Sequence, residues 1–450
     1  MRQWRCICSL ILCLAASDCQ IRQECNEGSD VSCSPLTWLL FLKTWRPRFL
    51  FVENNQAPAS LSTFVVNDSS GRLTQVTGSP FAHVTANPTF LSQPVADRSG
   101  RFLYVSNYNE GTVYAYSLNQ SAGTVSSISG SPYSGFNTPL PVAIDARSRF
   151  VFVSENNASV KAHRISSDGS LTSYQTVTGG LQPGYPIVDA FDRFVFVGNY
   201  NGSNLAYPYK IDPTTGALTA GATAGYNSTT SFMTIEPTGR TLFSVNQAAG
   251  AILYSFLIDQ TTGGLTTVDQ DSVTGGVQGI SLPGVAANPG RSVVSTNGRF
   301  LYVPNTSNNQ RSISAYSIDT SAGILTQIAG SPFATTGDGV QVPAIHPSGN
   351  FMYVANNVSS TIDVFFMNSQ TGASSAIVGS PFASATGPGA VVVDPGGFFA
   401  FVPNYNAGAG NTVSVFSINQ TSGALTQISG SPYAVGTGPS GATVVSYLVF

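Results

Sequence analysis

Short segments with an apolar period of two recur along almost the whole chain. The segment RFLYVSN at 101–107 returns as RFLFVEN at 48–54, RFVFVSE at 149–155, RFVFVGN at 193–199, RTLFSVN at 240–246, RFLYVPN at 299–305, NFMYVAN at 350–356 and FFAFVPN at 398–404. The eight copies start 44 to 59 residues apart. A period of two predicts β-strands and excludes helical repeats. Each heptad therefore marks one strand in each of eight repeats.

Three further strand-like segments complete each repeat. A second segment such as TVYAYSLN at 112–119 runs into a turn that starts at Asn or Asp and ends near Gly, as from Asn119 to Gly123. A third segment leads to GSP and an aromatic residue, as at 130–133, and an apolar segment such as PVAIDARS at 141–148 returns to the next heptad. Asn and Asp initiate such turns and Gly supplies the positive φ. Each repeat is predicted to form four antiparallel strands.

Four short strands per repeat of about fifty residues are typical of one blade of a β-propeller, because a lone blade cannot bury both of its faces. A stacked solenoid is the alternative. The heptads predict eight blades in an all-β fold. The last segment, 438–450, has no heptad after it, so residues 439–447 are predicted to complete the blade begun at 48–80 and to close the ring. The apolar segment 36–42 is a rival for that place.

The two ends of the chain differ in composition from its body. All six cysteines lie within the first 33 residues, where Arg2 and Arg5 precede an apolar run over 7–16. This pattern is typical of an export signal, and the run is too short to span a bilayer. We interpret 1–17 as an export signal, 18–47 as a poorly structured leader and 48–450 as a single propeller domain. The protein is expected in the periplasm, at the cell surface or outside the cell.

Two alternatives to this interpretation of the N-terminus stay open. An upstream start site would add a leader without a signal. A lipid anchor would need a cysteine, but Leu12 before Cys13 and Asp18 before Cys19 are poor residues ahead of a lipidated cysteine. No later segment approaches eighteen apolar residues, so no transmembrane span is predicted.

Charge is scarce and excludes several classes of function. Charged residues make up 9% of the chain, with 19 basic and 22 acidic side chains, so nucleic acid is not an expected partner. The sequence holds no GxSxG elbow, HExxH pair or phosphate-binding loop, and the body has no cysteine. Acidic residues are spread one per turn, so we expect no metal and no cofactor.

The few charged and histidine side chains fall into repeated or isolated positions. Arg opens six heptads, and in four of them an acid stands four residues earlier, which predicts a structural pair across a turn: Asp97, Asp145, Asp189 and Glu236. The seventh copy has His346 and Asn350 at these two places. One repeat is unusual, since Glu155 is followed by Lys161, His163 and Arg164. These polar side chains indicate either a surface patch that binds a partner or a solvent-exposed blade edge.

The strand FLYVSN, the following 117–133 and inner strands such as 391–397 resemble YVTN-type repeats and the lactonase family of propellers, over about 48–450. That family includes 6-phosphogluconolactonase-like and carboxymuconate-cyclising enzymes. The resemblance implies seven blades, which is the alternative to the count of eight. It also implies a lactone hydrolase whose inner strand carries Gly-Pro-Arg-His before an apolar-His-Pro-Asp-Gly turn and a heptad ending near Glu.

The nearest segment here, 339–357, keeps His346 but has Gln341 and Val342 where the family has Arg and His, and Asn357 near the place of Glu. The cation for a developing oxyanion and the general acid and base are therefore missing. Other inner strands, expected at 93–96, 183–188, 284–287 and 388–393, are apolar or small. His346 stays the one candidate catalytic residue.

We expect a non-catalytic binding or scaffold module, with a sugar-lactone hydrolase acting in the central channel as the alternative. The candidate ligand-binding residues are Gln341, His346 and Asn350. The partner is expected to be a small molecule, a carbohydrate or a protein at a propeller face, bound by a monomer. A third hypothesis is a protein-binding rim built from inter-blade links such as 134–141.

Overall fold

The computed structural model describes residues 45–82, 92–180, 182–199, 205–225, 230–246, 251–268, 270, 279–282, 289–306 and 311–448. These residues form 38 strands and one short 3-10 helix, Asn406–Gly408. The predicted export signal, most of the predicted leader and the rival segment 36–42 lie outside the described residues.

The strands fall into eight blades, numbered here in chain order. The first four blades contain β1 (Trp45–Asn54), β2 (Ser60–Val66), β3 (Leu73–Gln75) and β4 (Phe81–Ala82); β5 (Val95–Ala96), β6 (Phe102–Asn107), β7 (Thr112–Asn119) and β8 (Thr124–Ser127); β9 (Pro139–Ile144), β10 (Phe150–Glu155), β11 (Ser159–Ile165) and β12 (Leu171–Thr178); β13 (Pro183–Val188), β14 (Phe194–Asn199), β15 (Leu205–Ile211), β16 (Leu218–Ala220) and β17 (Ala224–Gly225).

The last four blades contain β18 (Thr230–Ile235), β19 (Thr241–Asn246), β20 (Ile252–Ile258), β21 (Leu265–Thr267) and β22 (Ile280–Ser281); β23 (Val293–Val294), β24 (Phe300–Asn305), β25 (Ser312–Asp319), β26 (Ile324–Gln327) and β27 (Phe333–Ala334); β28 (Ala344–Ile345), β29 (Phe351–Asn356), β30 (Thr361–Met367), β31 (Ser374–Ala376) and β32 (Phe382–Ala383); β33 (Val392–Val393), β34 (Phe399–Asn404), β35 (Thr412–Ile418), β36 (Leu425–Gln427) and β37 (Tyr433–Ala434). The final strand is β38 (Pro439–Leu448).

The C-terminal strand closes the ring. In blade one the strand order is β3-β2-β1-β38, so β38 is the innermost strand. It runs antiparallel to β1, with Phe51 opposite Thr443 and Glu53 opposite Gly441. The fold is therefore an eight-bladed propeller of four-stranded antiparallel blades, closed by strands from the two ends of the described chain, as predicted.

Apolar packing between neighbouring blades forms the core. The heptad strands are buried along their length, as in Phe102–Asn107, and alternate side chains pack against the blades on the two sides. Eight hydrophobic clusters result, one at each of the eight interfaces between blades. The cluster with Val52 of blade one and Phe401 of blade eight closes the circle. Burial of both faces explains why a single repeat is not a stable unit.

An acid organises the turn between the first two strands of a blade. The Asp97 carboxylate accepts the backbone N–H groups of Arg101 (2.7 Å) and Phe102 (2.6 Å). The acid–arginine ion pair predicted in four repeats forms in two of them, between Asp145 and Arg149 (2.9 Å) and between Asp189 and Arg193 (2.8 Å). The acid is therefore needed chiefly as an acceptor for the turn. We call the face that carries these turns the lower face, and the opposite face the upper face.

The serine of the recurring GSP motif fixes the outer part of a blade. The hydroxyl of Ser131 accepts the backbone N–H of Ala115 at 2.9 Å, and the same bond is made by Ser79, Ser331, Ser380 and Ser431. The motif thus has a structural role in each of these five repeats.

Candidate functional site

Eight positions on the innermost segments line the central channel at one level. They lie four residues before each lower-face turn, or at the equivalent register in blade one, and we call them the channel ring: Gln93, Pro141, Tyr185, Phe232, Arg291, Val342, Ala390 and Gly441. All eight are at least partly exposed, whereas the residue after each is buried. This alternation follows from the strand geometry, which turns successive side chains to opposite faces.

Arg291 is the one charged side chain among the described ring positions. Its segment is the innermost one of blade six, because Val293 pairs with Tyr302 and Pro289 bridges to Asn305. Residues 284–287, where this inner strand was expected, lie outside the described residues, and the expectation that no inner strand offers an arginine is wrong. The ion pairs of the described residues do not involve Arg291. Sequence analysis missed Arg291 because it expected the inner strand before the sixth heptad at 284–287, whereas in the structure the inner segment begins five residues later, at Pro289.

The position of Arg291 accounts for its electrostatics. The side chain is accessible to solvent and yet has protein on most sides, as a side chain inside a channel must. This burial lowers the pKa of the guanidinium, and the nearby Tyr185 acts in the opposite direction. Arginine remains protonated at neutral pH. It is therefore a fixed cation without an acidic partner in the described part of the chain.

Two aromatic side chains continue the channel wall beside Arg291. Tyr185 and Phe232 belong to blades four and five, and their ring centroids lie 5.2 Å apart in an edge-to-face arrangement. Blades four, five and six are consecutive, so Tyr185, Phe232 and Arg291 form one continuous wall, which we call the aromatic–cation wall. This wall presents two aromatic rings, tilted against each other, next to a positive charge.

The other side of the ring carries small residues. Blades eight and one contribute only Ala390 and Gly441 to the ring. Gln93 of blade two donates from Nε2 to the carbonyl oxygen of Ala442 (3.0 Å). A cavity of about 410 Å³ is lined on this side by Gln93, Thr443 and the residues that follow them. This cavity extends from the ring to the lower-face turn of blade two, and none of its lining residues belongs to the aromatic–cation wall.

His346 lies in the lower-face turn of blade seven and not on the ring. Its Nδ1 is 2.8 Å from the hydroxyl of Ser348, its Nε2 is 2.9 Å from the carbonyl oxygen of Gly397, and the residue is buried. Burial lowers the pKa of the imidazole, with the Gly397 bond opposing. Both ring nitrogens are thus engaged in holding the turn against blade eight.

The three candidate ligand-binding residues are not brought to one place. Gln341 precedes His346 by five residues of extended chain, which is about 16 Å, and donates to the carbonyl oxygen of Gly339 at 2.9 Å. Asn350 is exposed at the end of the same turn as His346. Gln341 therefore lies towards the upper face, whereas His346 and Asn350 lie at the lower face.

The unusual third repeat anchors a link between blades. Glu155 is fully buried, accepts the backbone N–H of Asn137 (2.8 Å) and pairs with Lys161 (2.9 Å). His163 packs on Phe136 with ring centroids 5.2 Å apart. Its Nε2 has no hydrogen-bond partner in the described part of the chain, and burial, followed by the charge of Lys161, lowers the pKa of this imidazole to about 4. These contacts hold the link 134–141 against blade three. The third histidine of the chain, His83, lies outside the described residues.

Glu53 is a second residue that sequence analysis missed. Its carboxyl is buried, Oε1 accepts the hydroxyl of Ser440 at 2.7 Å, and Oε2 has no hydrogen-bond partner among the described residues. Burial raises the pKa of this carboxyl to about 8, with the Ser440 bond opposing. The signal in the sequence was its place in the heptad, because the sixth position holds Glu in the first copy and an uncharged residue in the other seven.

The described residues hold neither a metal-binding cluster nor a membrane-spanning helix. They contain no group of three or more His, Cys, Asp or Glu side chains arranged to hold a metal ion. They also contain no helix with the length and apolar character needed to cross a bilayer.

Comparison with known proteins places the chain in a family. The sequence model described as "Lactonase, 7-bladed beta-propeller" matches residues 103–208, 201–288 and 334–439. The chain belongs to this lactonase family. Its eight blades exceed the seven of the family description, and the recognition of the family from the heptads and the GSP segments is confirmed.

Individual relatives support the same fold. A curated 6-phosphogluconolactonase of Formosa agariphila is 40% identical over 79 residues, which are 18% of this chain and 22% of that protein. The match thus spans about a fifth of the relative's length. The periplasmic gluconolactonase PpgL of Pseudomonas aeruginosa superposes with a TM-score of 0.58 at 16% identity, over 88% of this chain and 98% of that one.

A further solved structure agrees with these. A candidate 6-phosphogluconolactonase of Bacteroides uniformis superposes with a TM-score of 0.56 at 19% identity, over 76% of this chain and 99% of that one. At such identities the likeness concerns the fold alone.

Proposed function

We propose that this lactonase-family propeller binds a small anionic molecule, such as a sugar acid, in its channel and does not hydrolyse it. The observation that carries this proposal is the aromatic–cation wall. Its guanidinium suits a carboxylate or phosphate, which it can bind through two parallel hydrogen bonds. The rings of Tyr185 and Phe232 offer a large apolar surface to the rest of the ligand.

The chemistry of the ring supports binding more than hydrolysis. Opening a lactone needs a group that activates water as well as a cation for the oxyanion. No described ring position holds Asp, Glu or His. His346 is engaged in the lower-face turn, where both of its ring nitrogens have partners. A cation beside aromatic rings is sufficient for capture of an anion.

Calorimetric titration tests the proposal with gluconate, which is anionic, and glucose, which is its neutral counterpart. We expect gluconate to bind and glucose to bind at least tenfold more weakly. Arg291→Ala should weaken gluconate binding at least tenfold, whereas Arg164→Ala, which removes an exposed arginine of blade three, should leave it unchanged. Equal affinities of wild type and Arg291→Ala would refute the proposal.

Hydrolysis of a sugar lactone in the channel is the second candidate function. Membership of the lactonase family favours hydrolysis. Arg291 provides a cation in place of the family arginine, for which this chain has Gln341. The test is release of acid from 6-phosphogluconolactone by the purified protein. Turnover well above the spontaneous rate, lost in Arg291→Ala, would replace binding without catalysis by this function.

We also propose that the protein is exported. The charged, apolar and small residues of 1–17 support this, and the Pseudomonas aeruginosa neighbour is described as periplasmic. Mass spectrometry of the protein from its native host tests the proposal. An N-terminus after Ala16 or Ser17 is expected, and a chain that retains Met1 would contradict it.

A further inference from the structure

Blade one lacks a side chain at its channel-ring position, and the carboxyl of Glu53 takes that space. Gly441 and Glu53 are opposite each other in antiparallel strands, so their side-chain directions point to the same side of the blade. A Cβ atom on Gly441 would lie 2.8 Å from Oε1 and 3.2 Å from Cδ of Glu53. The carboxyl of Glu53 therefore stands where the other seven blades present a ring residue.

The surroundings of this carboxyl favour its neutral form. Glu53 is only 5% exposed. Oε1 accepts the hydroxyl hydrogen of Ser440, whose oxygen in turn accepts from Nδ2 of Asn55 at 2.5 Å. No charged or titratable side chain of β1, β2, β38 or the described part of blade two contributes to its pKa, which burial raises to about 8. A buried carboxyl without a counter-charge keeps its proton.

One hydrogen-bonding atom of this group is left over. Oε2 is buried and has no partner among the described residues. A buried polar atom without a partner costs free energy that a ligand can recover by bonding to it. In the protonated carboxyl one oxygen serves as a donor, and rotation of the carboxyl about its Cγ–Cδ bond turns that oxygen to the ring position, where Oε1 lies.

We propose that Glu53 is a proton-gated contact for the ligand of the channel, which as a neutral acid donates a hydrogen bond to an oxygen of the ligand and on ionisation drives the anion out. This inference rests on the proposed binding function. Blade one is separated from blade six by two blades, so Glu53 and Arg291 contact different parts of the ligand. The ligand class is thus an anion that also carries an acceptor oxygen, a hydroxyl or carbonyl, away from its charge.

The charge states at the two contacts determine the pH dependence. Below about pH 8 the channel offers the Arg291 cation and a neutral donor, which suit an anion with a hydroxyl group. Above it, an ionised Glu53 in a poorly solvated place repels the anion and no longer donates. Since a neutral acid is not a base, the same group does not activate water below pH 8.

The experiment measures gluconate affinity by calorimetry from pH 6.5 to 9.5, a range in which the gluconate carboxylate stays ionised. Wild type should lose affinity at least tenfold, with a midpoint near pH 8. Glu53→Gln keeps a donor and cannot ionise, so its affinity should stay constant over this range. Asp363→Asn, which alters a buried carboxylate of blade seven with several hydrogen-bond partners, should keep the wild-type profile.

A second variant and an infrared spectrum distinguish loss of the Glu53 contact from misfolding of the Glu53→Gln protein. Gly441→Ala leaves Glu53 in the chain and displaces its carboxyl, so it should also abolish the pH step. In infrared difference spectra of wild type against Glu53→Gln, the stretch of a protonated carboxyl should be present at pH 6.5, disappear near pH 8 and shift when gluconate is added.

The outcomes separate this inference from the proposed function. If wild type binds gluconate through Arg291 with the same pH profile as Glu53→Gln, the role of Glu53 is refuted and the binding function stands. If gluconate does not bind at any pH, the binding function fails and the gate fails with it. An ionised Glu53 at pH 6.5, or a carboxyl band that gluconate does not move, overturns the role of Glu53 in either case.

Discussion

At the scale of single residues, two buried titratable groups have pKa values shifted in opposite directions by the same cause. Burial disfavours the charged form of each, which raises the pKa of the Glu53 carboxyl to about 8 and lowers that of the His163 imidazole to about 4. Both groups are therefore neutral in the folded protein near neutral pH. Each makes folding less favourable on one side of the pH scale.

His163 is predicted to limit stability in acid. Its pKa rises from about 4 to 6.5 on unfolding, so the unfolded chain gains a proton first, and the stability present above pH 6.5 is lost as the pH falls towards 4. His163→Phe should abolish this loss, which amounts to roughly 3 kcal/mol. Denaturant titrations of both proteins at pH 7.5 and pH 4.5 measure it. Equal losses in the two proteins would contradict the assignment.

Glu53 is predicted to limit stability at alkaline pH. Its pKa is higher in the folded protein than the ordinary 4.5, so the stability present below pH 4.5 is lost as the pH rises through about 8. Wild type should lose roughly 2 to 4 kcal/mol relative to Glu53→Gln between pH 5 and pH 9. The free energy of unfolding at the two pH values checks this, and a constant difference between the proteins would refute it.

At the scale of the element, the lower-face turn shows which partner of a recurring pair matters. Asp97 is buried and accepts two backbone N–H groups, whereas Arg101 is exposed and its Nε donates to the hydroxyl of Ser99. A buried acceptor that satisfies backbone donors contributes more than an exposed cation. The acid and the arginine that recur in the sequence therefore contribute unequally to the stability of the turn.

Substitution of the two partners should separate their contributions. Asp97→Ala leaves two backbone donors without an acceptor and should lower the free energy of unfolding by about 1 to 3 kcal/mol. Arg101→Ala should change it by less than about 0.5 kcal/mol. Chemical denaturation measures both. Equal effects of the two substitutions would show that the ion pair, and not the turn, is the stabilising unit.

At the scale of the whole molecule, the ring depends on strand β38. Without it, β1 would present an open edge, and the cluster that joins blades eight and one would lose Ala442 and Val444. An exposed edge strand of this length pairs with other chains. Every interface between blades is supported by its neighbours, so opening one interface weakens the closed ring as a unit.

Removal of residues 439–450 should therefore abolish cooperative unfolding and cause aggregation. Removal of residues 1–17, the predicted signal, serves as the control and should leave the melting transition in place. Thermal unfolding followed by circular dichroism, together with size-exclusion chromatography, measures the outcome. A monomeric, cooperatively folding chain without 439–450 would contradict closure by β38.

Local patterns in the sequence were enough to predict the fold. The period of two in RFLYVSN, the Asn119–Gly123 turn and the GSP motif each depend on a few adjacent residues, and the count of heptads predicted eight blades. The missing heptad after 438 predicted closure by the C-terminal strand, which the pairing of β1 with β38 confirms. Turn chemistry and side-chain alternation act over such short distances that the chain determines them by itself.

The channel site was decided by tertiary structure. Arg291 acquires its neighbours Tyr185 and Phe232 only in the folded ring, because those two residues come from two other blades. Glu53 reaches the channel ring because Gly441, at the other end of the chain, has no side chain there. Which side chains share one level of a channel depends on strand register and on closure of the ring. Both are properties of blades packed together, and no local pattern of residues contains them.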